Sequence, residues 1–78
     1  MSSMVAEQII RATLARLEAD RQEAITTIEL YLNSGVAVPD HSSVIEEVSK
    51  AVERLAASEE SISAVRRNFL VTEPANDE

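Results

Sequence analysis

The chain has no cysteine and no tryptophan, and only one glycine, two prolines, one phenylalanine and one tyrosine in 78 residues. Each shortage removes a class of solutions. Without cysteine there is neither a disulfide framework nor a thiolate zinc site, so nothing of that kind staples a chain of this size. A reducing compartment, the cytoplasm, is the expected location. The lone glycine, Gly35, cannot build the glycine-rich turns of phosphate loops, dinucleotide-binding fingerprints or nucleophile elbows. Two aromatic residues give stacked bases no platform. No apolar run approaches the roughly 20 residues of a membrane span, and the opening "MSSMVAEQII" has neither the basic segment nor the apolar centre of a secretory signal. A soluble protein with no membrane partner is expected.

Cations are scarce as well. Seven Lys and Arg against fourteen Asp and Glu give a formal charge of −7, which repels a phosphate backbone unless the cations gather on one face. Arg11, Arg16, Arg21, Lys50, Arg54, Arg66 and Arg67 are instead spread over both halves of the chain. A small nucleic-acid-binding bundle is therefore the alternative reading, and it would need those cations to converge on assembly.

Catalytic and metal chemistry find few candidates. His41 is the only histidine and reads as an exposed loop residue, with no cysteine or second histidine to complete a metal set. The adjacent pairs Glu46-Glu47 and Glu59-Glu60 diverge by about 100° on a helix and cannot converge on one ion. Ser34, Ser42 and Ser43 have no base placed by a recognisable motif and read as caps. No catalytic, cofactor-binding or metal-ligating residue is assigned, no cofactor is expected, and an enzyme or metal-binding bundle ranks third.

What the sequence does contain is two long stretches free of Gly and Pro, joined by "NSGVAVPDHSS" and closed by "TEPANDE". Gly35 stands where a helix commonly ends in a left-handed residue, and Pro39 opposes continuation. Asp40, Ser42 and Ser43 are competent N-caps, Ser43 with Glu46 having capping-box spacing. Pro74 disfavours helical geometry at Glu73. In the first stretch Ala6, Ile10, Leu14, Leu17, Ala24, Ile25, Ile28, Tyr31 and Leu32 cluster around one line at helical periodicity. In the second, Val44, Ile45, Val48, Ala51, Val52, Leu55, Ile62, Phe69 and Leu70 do the same. The pattern predicts an all-α protein: an antiparallel hairpin of helices near 4–33 and 41–71, forming one domain over 1–72 with a disordered acidic tail over 73–78.

A hairpin offers each stripe a single neighbour and leaves part of it wet. Association is the expected remedy, either with itself as a homodimeric, coiled-coil-like four-helix bundle or with a helical client. The seam available for this is Ile10, Leu14, Leu17, Ile28, Tyr31, Val48, Leu55, Ile62 and Phe69. Two charges interrupt it. In an antiparallel hairpin, positions whose numbers total about 76 lie level here, which brings Arg21 to within a turn of Glu59 and sets Arg66 against Glu7. These four are read as register-setting charges, with arginine snorkelling as the simpler account. Ile9, Val36 and Val38 are candidates for a secondary contact, the two valines also serving as a plug for the bundle end. The functional expectation is a non-enzymatic helical interaction protein, such as an adaptor, assembly factor or chaperone-like module, acting through its seam.

Overall fold

The computed structural model describes residues 3–34 and 41–70. It contains two helices packed against each other, α1 (Met4–Ser34) and α2 (His41–Phe69), and no strand among the described residues. At 1.5 Å per residue each helix is on the order of 45 Å long.

The start of α1 is fixed by Ser3. Its hydroxyl accepts a hydrogen bond from the Ala6 amide at 2.9 Å, and its carbonyl accepts one from the Glu7 amide at 3.0 Å. An amide that has no partner within the helix is thereby satisfied. Glu7 adds an acidic group to this first turn and Arg66 with Arg67 add basic ones to the last turn of α2, each at the helix end whose dipole it complements. α2 begins at His41, the predicted start, so His41 belongs to the helix and not to a loop, and Ser42 and Ser43, read from the sequence as caps, lie within its first turn. The other end comes earlier than predicted, with Phe69 the last helical residue and Leu70 outside the helix. Gly35, Val36, Val38, Pro39 and Asp40 lie outside the described residues, as does the predicted tail.

The seam follows a strict alternation of four and three residues. On α1 it runs through Ile10, Leu14, Leu17, Arg21, Ala24, Ile28 and Tyr31 and on α2 through Val44, Val48, Ala51, Leu55, Ser58, Ile62 and Val65, all covered or half-covered. Glu18, Ile25, Thr27, Glu47 and Ser61 are among the half-covered neighbours on its borders. This is the spacing with which two helices keep one face in contact over many turns. Among the described residues Ala24, Ala51, Ser58 and Ile62 are buried, and no large side chain is wholly enclosed. The molecule is only 15 Å across its thinnest direction, one helix layer. Its radius of gyration of 17.2 Å exceeds the roughly 11 to 12 Å of a compact domain of this length.

Candidate functional site

Side chains on a helix tilt toward its own N-terminus. In an antiparallel pair this tilt moves a side chain of α1 away from the α1–α2 connection and a side chain of α2 toward it. Long partners therefore meet when their Cα atoms lie beyond level on opposite sides, and the ion pairs follow this rule. Arg21 Nε donates to Glu59 Oε2 at 3.3 Å, the contact expected from the sequence. Arg66 Nη2, by contrast, lies 3.6 Å from Glu18 Oε2, so the expected pairing of Arg66 with Glu7 gives way to one with Glu18. Glu7 lies eleven residues further along α1, about 16 Å at helical rise, and it leans away from Arg66 where Glu18 leans toward it. Counting levels from Cα positions overlooked that tilt, and Glu18 was missed for the same reason.

The two pairs stand side by side. Glu18, Arg21, Glu59 and Arg66 line a shallow open depression floored by the buried Ile62. The side chains of Arg21 and Glu59 are 38% and 51% exposed, and the Glu18–Arg66 pair is no better covered, so water screens both. Two further pairs, Lys50–Glu47 at 3.6 Å and Arg67–Glu60 at 3.3 Å, are contained within α2, and Arg67 also donates to Ser63 Oγ at 2.7 Å.

Because Glu18 and Arg66 join across the helices, they identify one side of the hairpin. Steps of seven residues from Glu18 give Ile25 and Leu32 on α1; the same steps back from Glu59 give Val52 and Ile45 on α2. All of these border the seam on the ion-pair side. Leu32 is 68% exposed, Ile45 65% and Val52 47%, while Ile25 is half-buried. The opposite border carries Thr13, Asp20 and Thr27 on α1 and Glu47, Arg54, Ser61 and Asn68 on α2, a polar row throughout. The hairpin thus has two unlike sides, one with an exposed apolar cluster that spans both helices beside a charged centre, and one with a polar border flanked on α1 by the separate exposed residues Ile9 and Leu30.

The residues expected to form a seam for association are distributed differently. Ile10, Leu14, Leu17, Ile28, Tyr31, Val48, Leu55 and Ile62 are covered or half-covered by the contact between α1 and α2. Phe69 is not: it is 65% exposed, at the end of α2. It lines an open groove with Leu70, Ala6, Glu7, Ile10, Arg11 and Leu14. Ile9 is exposed and lies one residue back from the seam position Ile10, whereas Arg11, one residue forward, lies on the ion-pair side; the two therefore flank opposite sides. Apolar periodicity alone groups Leu32, Ile45 and Val52 with the central stripe. The distinction was available in the spacing, since the strict four-three alternation passes through Tyr31, Val44 and Ala51 and sets each of the three one residue to the side. It also passes through Ser58 and Val65, which apolar patterning alone had skipped.

Among the described residues no group of three or more His, Asp or Glu is placed to hold a metal ion. No described helix is long and apolar enough to cross a membrane. Comparison with protein-family models, with curated proteins and with solved structures finds no match for the chain.

Proposed function

We propose that this chain is a non-enzymatic helical interaction protein of the cytoplasm, an adaptor, assembly factor or chaperone-like module. It works by presenting the apolar border of its hairpin to another helix, from a second copy in a homodimer or from a helical client. The observation that carries the reading is the exposure of Leu32, Ile45 and Val52 on one face of a structure a single helix layer thick. Scattered surface apolars are ordinary, but a cluster in register across two helices and continuous with a seam is the usual form of a helix-docking surface. The seam residues named from the sequence, Phe69 excepted, support this surface from below, because they hold the two helices in the alignment that brings the cluster together.

No observation favours the nucleic-acid alternative over this one. Arg21, Lys50, Arg66 and Arg67 are each paired with a carboxylate, so a phosphate would have to displace those partners.

Sedimentation equilibrium of the full chain, with titration of amphipathic helical peptides, tests the reading. Association with itself or with a peptide is expected, and Ile45→Glu should weaken it while helix content by circular dichroism is unchanged. A chain that stays monomeric up to about 100 μM, weaker than the affinities common for specific association, and binds no such peptide ends it.

A further inference from the structure

The face that carries the two crossing ion pairs is ordered along its length. Leu32, Ile45, Ile25 and Val52 make one end apolar, and the centre is charged. Within the charged centre each level holds one cation and one anion on different helices: Arg21 on α1 with Glu59 on α2, then Glu18 on α1 with Arg66 on α2. Resting on the interaction reading above, we propose that the occupant of this face is a second copy of the chain, related by a twofold axis parallel to the helices. Like ends lie together, and α1 of each copy covers α2 of the other.

Three features of the face point to a second copy. An isologous interface requires a surface complementary to itself under its own twofold operation. With the axis parallel to the helices, Arg21 and Glu59 of one copy face Glu59 and Arg21 of the other, so the signs alternate around a square of four side chains. Glu18 and Arg66 do the same one level on. Arg11 lies level with the second copy's Arg66, but the two side chains lean apart, Arg66 toward Glu18, so no like charges are forced together. The Arg21 and Arg66 guanidinium groups each gain a second carboxylate as they lose water. The apolar end meets its own equivalent, with Leu32 against the second copy's Ile45 and Ile25 against its Val52. The result closes the layer into four helices, each antiparallel to its neighbours, a bundle in which every seam has a cover.

The other twofold arrangement, with the axis across the helices, also alternates the central charges but fails beside them. It carries Ile25 and Val52 of one copy to the levels of Arg11 and Arg66 of the other, setting aliphatic groups against cations that must then lose water. On the opposite side, with Thr13, Asp20 and Thr27, the exposed apolar residues are Ile9 and Leu30, both on α1 and about 30 Å apart at helical rise, so they make no patch across the two helices for a second copy to cover in either arrangement.

The absence of cysteine makes a clean test possible. Chains bearing Leu32→Cys and chains bearing Ile45→Cys are mixed, equilibrated and treated with a mild oxidant; the mixed disulfide should dominate both like-with-like products. In parallel, sedimentation equilibrium should show Leu32→Glu weakening dimerisation by at least about tenfold, with Thr27→Glu on the opposite face leaving it unchanged. Circular dichroism checks that both variants keep their helices. Preferential disulfide formation between Met4→Cys and Leu32→Cys chains would overturn the axis, and equal losses from Leu32→Glu and Thr27→Glu would overturn the face. A monomer that binds an amphipathic helical peptide would overturn the second copy and leave the interaction reading standing, whereas a monomer that binds nothing would remove both.

Discussion

Ala24 and Ala51 are fully buried although each carries only a methyl group, so the opposite helix must cover them at close range. A larger side chain at either site has to push the helices apart or leave its rotamer minimum. Ala24→Leu should therefore cost about 1 to 3 kcal/mol, read as a shift in the urea midpoint, even though leucine is a good helix former. Among the described residues Ile62 is the one buried large aliphatic, and Ile62→Ala should lose about 2 to 4 kcal/mol, whereas Leu55→Ala, half-covered, should lose less. Charged residues of the seam behave differently. The Arg21–Glu59 contact is a single 3.3 Å approach between half-exposed groups, and a double-mutant cycle with Arg21→Met and Glu59→Gln should give a coupling of about 0.2 to 1 kcal/mol. That Arg21 meets Glu59 was legible from the sequence, because two interruptions of two stripes fell near one level. That Arg66 meets Glu18 was not, because the answer depends on the direction in which side chains lean and not on where their Cα atoms sit.

At the scale of the element, the helices were legible for the reason that they are long. Some thirty residues free of Gly and Pro, with an apolar repeat near 3.5, leave no competing secondary structure. Their ends were less legible. Nothing in "MSSMVAEQ" has capping-box spacing, yet Ser3 caps α1 by itself through the Ala6 amide. Ser3→Ala should cost about 1 kcal/mol locally and show as faster amide exchange over residues 5–7, with little change in the global midpoint. The far end of α2 shows how polar side chains compete for backbone groups: Asn68 Nδ2 donates to the Ala64 carbonyl at 2.8 Å just before the helix stops at Phe69. Nothing short of Pro74 in the sequence marks that stop, which is why the predicted end lay two residues further on. Which border of the seam is apolar was likewise missed at first, because a hydrophobic stripe about 120° wide hides the difference between its centre and its edge.

For the whole molecule, the charged centre of one face and the apolar end beside it set opposite requirements. Apolar burial favours any association that covers Leu32, Ile45 and Val52, while the four charges penalise those in which cations meet cations. Replacing both Arg21 and Glu59 with leucine would extend the apolar border through the centre. Thermal stability should hold or rise, since packed hydrophobes often match or exceed an ion pair removed from water. Specificity should suffer, with native mass spectrometry and sedimentation velocity resolving more than one oligomer where the proposed dimer predicts one for the parent.

The concentration of burial at Ala24, Ala51, Ser58 and Ile62 also makes the hairpin a pair of tongs with its pivot near the middle. Beyond that pivot lies the open groove lined by Ile10, Leu14, Phe69 and Leu70, none of them buried and Phe69 largely exposed. Local opening costs least where least is buried, so the arms should part at this end many times for each complete separation of the helices. Hydrogen exchange followed residue by residue would then record a gradient, slowest around Ala24 and Ala51 and quickening toward Ile10 and Val65. In such a pair of tongs the width of the mouth is governed by a pivot that lies several turns away from it, so a substitution at Ala24 should change exchange at Ile10 as well as at its own level.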